Sequence, residues 1–226
     1  MLAISWWPLT SNAQAFMNLD FEAATIIPIV NDPYQVEWDA AMPGWSGYYG
    51  NTYTGIKKRT SLVYNTLSIG DPSIDLLGPG SGYQMSGNYC LALQTSVTFY
   101  FTDVYITQTG TIPADANSIQ FKGSSARNGF IVSLDGHPIS MPALKTDGSY
   151  YQYGGDISAF AGQTVELRIT DIAVPNSESM FFIDSIAFST EAVPEPGVIT
   201  LCCAGGMMVW WLLGRRRRTE KQQNVG

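Results

Sequence analysis

The chain has 226 residues, 45% of them apolar and only 14% charged, with 22 Gly, 12 Tyr, 10 Phe and 6 Trp. That length holds one sizeable domain plus terminal signals and leaves no room for a second full core, and the surplus of aromatics and Gly over charge favours strands and tight turns over charge-laced helices. The net charge is −7, and between Phe16 and Val193 seven basic residues face 17 acidic ones, a balance of −10 that repels phosphate backbones and argues against nucleic acid as a partner.

The chain begins MLAISWWPLTSNAQAF, in which an apolar stretch from Leu2 to Leu9 is followed by polar residues and then Ala13-Gln14-Ala15. Small residues at Ala13 and Ala15 suit signal-peptidase cleavage after Ala15, so residues 1–15 are expected to be a signal peptide. No Lys or Arg precedes the apolar stretch. The expectation is therefore that the true start lies upstream.

The body, residues 16–190, opens with NLDFE at 18–22 and then presents a Gly-rich aromatic stretch, GWSGYYGNTY, carrying Trp45, Tyr48, Tyr49 and Tyr53. Strand-like runs follow: TSLVYNTLSI, YCLALQTSVTFYFTDVYIT, NSIQFKGSS, GFIVSLDG, TVELRITDI and MFFIDSIAFS. Each is rich in β-branched and aromatic residues, is bounded by Gly, Pro, Asn or Asp, and several alternate as half-buried strands do. Asp135-Gly136 is predicted to make a hairpin turn. No sustained helical stripe occurs before residue 198, and the spacing of strands and turns predicts an all-β, two-sheet sandwich of jelly-roll type.

Several residue types carry chemistry elsewhere, and here they point away from it. Cys90 is the lone cysteine of the body, Cys202 and Cys203 lying in the C-terminal apolar run, so no disulfide forms within the body and Cys90 is expected to be a small buried strand residue. His137 is the single histidine, expected on an exposed turn, and without a second one a His-rich zinc site is excluded. There is no G-x-S-x-G elbow and no phosphate loop leading into a helix. Two carboxylates would suffice for a glycosidase, which leaves a glycoside-active enzyme as a remote alternative. The expectation is a protein without enzymatic activity.

Two aromatic clusters could stack on sugar rings: Trp45, Tyr48, Tyr49 and Tyr53, and then Tyr150, Tyr151 and Tyr153 in GSYYQYGG. The competing expectation makes Trp45 a core anchor and the tyrosines ordinary strand residues. The Gly-flanked second cluster is expected to be the more exposed loop, and any sugar affinity to follow Tyr150, Tyr151 and Tyr153.

The chain closes with AVPEPGVITLCCAGGMMVWWLLGRRRRTEKQQNVG. Residues 197–214 give 18 almost wholly apolar residues, about 27 Å as a helix and just enough to cross a bilayer. Trp210 and Trp211 near its end suit the headgroup layer, and Arg215, Arg216, Arg217 and Arg218 form a stop-transfer cluster that places residues 219–226 in the cytoplasm and the body outside.

This tail, residues 191–218, resembles the PEP-CTERM sorting signal of Gram-negative bacteria, with Pro194, Glu195 and Pro196 as its tripeptide. The resemblance implies an exosortase-type processing enzyme as partner, transient residence in the inner membrane, and delivery of the body to the cell surface or extracellular matrix. Two prolines keep that segment extended and accessible outside the bilayer.

The body resembles the galactose-binding-like jelly rolls that include many carbohydrate-binding modules, through NLDFE at 18–22, PGW at 43–45, DGHPI at 135–139, DISAFAGQTVELRIT at 156–170 and FFIDSIAFS at 181–189. Such domains open with an N-x-x-F-E strand beside a closing D-x-I-x-F strand, and relatives hold a structural calcium ion there. The resemblance implies Glu22 and Asp184 as its ligands, although Ser185 stands where many relatives have a second Asp. The competing expectation is that both carboxylates are hydrogen-bonded strand residues near an edge. Carbohydrate binding, to exopolysaccharide, is the principal alternative to a purely structural surface protein.

Overall fold

The computed structural model describes residues 14–51, 54–67, 70–96, 102–124 and 127–193. The chain divides into two units, Met1–Glu191 and Ala192–Gly226, and the strands among the described residues belong to the first. They are β1 (Pro28–Ile29), β2 (Asp32–Glu37), β3 (Ser46–Asn51), β4 (Gly55–Lys58), β5 (Ser61–Tyr64), β6 (Ser73–Leu77), β7 (Cys90–Gln94) and β8 (Val104–Thr111). The second half supplies β9 (Ser118–Gly123), β10 (Phe130–Leu134), β11 (His137–Ile139), β12 (Ala143–Asp147), β13 (Tyr150–Asp156), β14 (Thr164–Asp171) and β15 (Met180–Ser189). One four-residue helix, α1 (Trp38–Ala41), follows β2.

The strands form a two-sheet sandwich. One sheet has nine strands in the order β1-β2-β5-β6-β7-β15-β9-β13-β12, the other six in the order β11-β10-β14-β8-β3-β4. Pairing between the named strands is antiparallel except for β5 with β6. Alternation explains the layers, because successive strand residues point to opposite faces. In β14, Val165, Leu167 and Ile169 are buried while Glu166 and Arg168 stay partly exposed. In β7 and β6 all five residues are buried, since the segment between these strands folds back over the outer face: Tyr83 stacks on Phe182 at 5.1 Å, and the Cys90 thiol reaches the Tyr83 carbonyl at 3.2 Å. Cys90 is thus the free, buried strand residue the sequence predicts.

One end of the core is built on two tryptophans. The Trp38 indole N–H donates to the Trp45 carbonyl at 2.7 Å, and the Trp45 indole N–H donates to the Asn18 carbonyl at 3.0 Å. Both rings are at most 3% exposed, so each buries a large apolar body while its one polar group is satisfied. The Trp38 ring reaches β3 because residue 47 has no side chain: a Cβ there would sit 2.0 Å from the far end of the indole.

The Asp135-Gly136 hairpin forms as predicted, joining β10 to β11 with both residues at positive φ (46° and 76°). Two expectations are corrected. Residues 18–22 are a turn and not a strand, with Asn18 and Phe21 at φ of 48° and 61°; the Asn18 side chain closes the turn by accepting the Ala23 N–H at 2.9 Å, and Phe21 drives into the core fully buried. The turn still lies beside the closing strand, where Ile186 N–H donates to the Leu19 carbonyl at 2.9 Å. GSYYQYGG is not an exposed loop but the turn into β13, which pairs with β9 and β12. Among the described residues no helix is long and apolar enough to cross a membrane. The expected span 197–214, with Pro194, Glu195, Pro196 and Arg215 to Arg218, lies outside the described residues, as do residues 1–13 of the signal peptide.

Candidate functional site

Glu22 and Asp184 do converge, on the backbone of one short loop. Glu22 accepts the N–H groups of Asn88 at 2.7 Å and Tyr89 at 2.9 Å, and the Asn88 side-chain amide at 3.0 Å. Asp184 accepts the Ser86 N–H at 2.8 Å and the Ser185 hydroxyl at 3.1 Å. Between these anchors Gly87 has φ of 61°, and a Cβ on it would lie 2.4 Å from a Glu22 oxygen, so the latch closes only over glycine. Burial pushes the Asp184 carboxyl above its usual range, partly offset by the Ser185 and Ser86 donors.

This donor set does not fit a calcium cage. Calcium takes six to eight oxygens, whereas the carboxylate oxygens here already accept N–H and O–H groups, whose positive ends would face the ion. No third acidic, His or Cys side chain joins them among the described residues. Both carboxylates act as loop anchors, and Asp184 does so from β15 in the interior of its sheet, between β7 and β9, not at an edge.

The aromatic residues separate. Trp45 is core. Tyr49 points inward, beneath the Arg59 guanidinium at 4.1 Å, and Tyr53 lies outside the described residues. Tyr153 is 8% exposed, with its ring against Phe121 and Phe130 at 5.4 and 4.9 Å and its hydroxyl on the Ser124 carbonyl at 3.2 Å. Tyr151 packs against the same core. Tyr150 points the other way, its hydroxyl on Asp147 at 2.9 Å and its ring 5.7 Å from the Lys122 ammonium. The expected sugar platform of Tyr150, Tyr151 and Tyr153 is therefore corrected: alternation along β13 puts Tyr150 on one face and Tyr151 with Tyr153, whose rings lie 5.9 Å apart, on the other against the core, so the three share no common exposed surface.

Tyr48 belongs to a different array, on the outer face of the six-stranded sheet. The ladder registers place Ile131, Thr170, Tyr105, Tyr48 and Lys58 in one cross-strand row, and Ser133, Arg168, Thr107 and Ser46 in the next. Tyr48 and Tyr105 stack with ring centres 5.0 Å apart and planes 15° from parallel. Arg168 sits over the Tyr105 ring at 4.6 Å and pairs with Glu166 at 2.9 Å. Burial raises the Tyr105 phenol above its usual value, against the nearby Arg168 charge, which lowers it. The sequence signal for Tyr105 and Arg168 was present as alternation in VYITQTGT and TVELRIT. What sequence could not supply was the register that sets them beside Tyr48.

His137 is exposed on β11, 6.1 Å ring to ring from Phe160, as the turn position predicts.

No protein-family model matches the chain, and no curated protein matches it. Among solved structures it is similar to a family 11 carbohydrate-binding module from Clostridium thermocellum in complex with a β-1,3-1,4-mixed-linked tetrasaccharide. That likeness covers 72% of this chain and 97% of the module at 11% identity and a TM-score of 0.36. It is also similar to the secreted serine protease VesC from Vibrio cholerae, covering 71% of this chain and 43% of the protease at 10% identity and a TM-score of 0.29.

Proposed function

We propose that this is an exported, non-enzymatic surface or matrix protein with a galactose-binding-like jelly-roll body, and that it binds carbohydrate through the open face carrying Tyr48, Tyr105, Arg168 and Glu166. The observation behind the binding role is the fixed geometry of that array on a partly solvent-facing sheet. Aromatic rings offer apolar surface to sugar C–H groups while guanidinium, carboxylate and phenol groups meet hydroxyls. Stacking and ion pairing hold the side chains before a ligand arrives, so little rotamer entropy is lost on binding. An open face suits a polymer that extends past it.

Delivery rests on the tail. The tripeptide Pro194-Glu195-Pro196, the apolar residues 197–214 and Arg215 to Arg218 support sorting by an exosortase-type enzyme, with residues 1–15 directing export.

Retention of the full-length protein on immobilised neutral glucan, galactan and host exopolysaccharide tests the binding role. Tyr105→Ala and Arg168→Ala are expected to abolish retention while unfolding within about 1 kcal/mol of wild type, as partly exposed positions do. Wild type that passes through every column, or variants retained like wild type, would leave only the structural role.

A further inference from the structure

A second feature lies on the other side of the ribbon β3–β4. Three of the seven basic residues of the body are consecutive, Lys57, Lys58 and Arg59, and they divide between two surfaces. Lys58 pairs with Tyr48 on the outer face, whereas Lys57 and Arg59 line a cleft of about 400 Å³ with Gln35, Tyr49, Ser61 and Asp71. That volume is within the roughly 300–1,000 Å³ of small-molecule sites.

Its cations form no ion pair. The sole ion pair among the described residues is Arg168 with Glu166, so Asp71, although it lines the same cleft, pairs with neither Lys57 nor Arg59. The Arg59 Nε–H is buried without an acceptor. The guanidinium is also held in place, lying over the Tyr49 ring at 4.1 Å, which leaves its edge as the direction for hydrogen bonds. The opposite wall is fixed by the Ser61 hydroxyl donating to Gln35 and the Gln35 amide donating to Asp32 at 2.7 Å. In a body of charge −10, a cleft whose two cations pair with no carboxylate, Asp71 of the same lining included, is a place for one anionic group.

We propose that this cleft binds the carboxylate of an acidic sugar residue, with the planar edge of Arg59 and the ammonium of Lys57 as its charged contacts. A planar guanidinium matches a two-oxygen planar anion bidentately, and Lys57 adds a point charge. Gln35, Ser61 and the Tyr49 hydroxyl are the groups available to ring hydroxyls. The carboxylate rests on the cleft alone, and its being carried by a sugar rests on the glycan-binding role proposed above.

Calorimetric titration of the full-length protein with a tetrasaccharide of galacturonic acid, and with its carboxyl-reduced neutral counterpart, tests this. The acidic form is expected to bind about tenfold or more tightly than the neutral one, with an advantage that shrinks as salt is raised. Lys57→Gln, at an exposed position, and Arg59→Lys, which keeps the charge but loses the fork, are each expected to erase that advantage, and Lys145→Gln, exposed on β12 of the other sheet, to preserve it. Equal affinities in wild type, an advantage surviving in Lys57→Gln, or free acetate competing as well as the tetrasaccharide would each overturn the proposal. An advantage lost in Tyr105→Ala and kept in Lys57→Gln would also overturn it while leaving the open-face role intact.

Discussion

Glu22 and Asn88, 66 residues apart, are joined twice: the carboxylate accepts the Asn88 backbone N–H at 2.7 Å and its side-chain amide at 3.0 Å. With Tyr89 N–H at 2.9 Å as a third donor, this pins the entry to β7 against the opening turn. Hydrogen bonds to a charged group contribute about 1.5–3 kcal/mol each when buried, and less at this partly exposed position. Glu22→Gln is expected to cost about 1–2 kcal/mol and to speed hydrogen exchange at Asn88 and Tyr89. Because the oxygens are already occupied by donors, millimolar calcium and chelator are expected to give the same melting curve. A rise of several degrees with calcium would restore the metal site to Glu22 and Asp184.

Gly47 is required by contact and not by backbone conformation. A Cβ would meet the Trp38 ring at 2.0 Å, and Trp38 cannot retreat without breaking its 2.7 Å bond to the Trp45 carbonyl. Gly47→Ala is expected to destabilise by about 1–3 kcal/mol through overpacking, and Trp45→Ala by roughly 3–5 kcal/mol through the cavity it leaves. Denaturant melts of both measure this. Trp45→Ala within about 1 kcal/mol of wild type would make Trp45 a surface residue after all.

How far the sequence could be read depended on whether the information was local. Alternation in TVELRITDI and MFFIDSIAFS marked β14 and β15, and Asp135-Gly136 marked the hairpin, because pleat and turn are set by neighbouring residues. Polar or Gly-rich strands such as SGYYGN, YYQYGGD and ALKTD gave little local signal and form through their partners. The pairing of Glu22 and Asp184 with one loop was half legible: their closeness followed from the opening and closing motifs, while the donors at Ser86, Asn88 and Tyr89 are backbone groups that any sequence possesses. The Tyr48–Tyr105–Arg168 array unites three strands and follows from register alone.

The tail gives a prediction separable from the body. If Pro194-Glu195-Pro196 is read by a processing enzyme, Glu195→Ala is expected to leave the protein in the membrane fraction while wild type is released. Fractionation of the native host followed by intact-mass measurement reads both ends of the mature chain. Equal release of both forms would remove the sorting role, and full retention of wild type would make residues 197–214 a permanent anchor.

Asp75 and Asp171 give the fold a pH dependence of a definite sign. Both are fully buried, and burial pushes each from 3.8 up to about 7, with the Ser73 hydroxyl opposing the rise at Asp75. Ser73 donates to one Asp75 oxygen at 2.8 Å while the other has no partner. A carboxyl with a raised folded value holds its proton in the folded chain between about pH 4 and pH 7, where the unfolded chain has released it. The stabilisation is complete below the unfolded value and is lost as pH rises through the folded one, so the protein is expected to melt at a higher temperature at pH 5 than at pH 8. Asp184, also raised by burial, acts in the same direction. Asp75→Asn removes one titration without changing shape, and it is expected to flatten the slope and to stabilise the protein at pH 8 by about 2 kcal/mol. Melting temperatures across pH 5–8 for both forms decide the matter: a flat wild-type profile, or an Asn variant less stable than wild type at pH 8, would show that Asp75 is held ionised by a compensating charge.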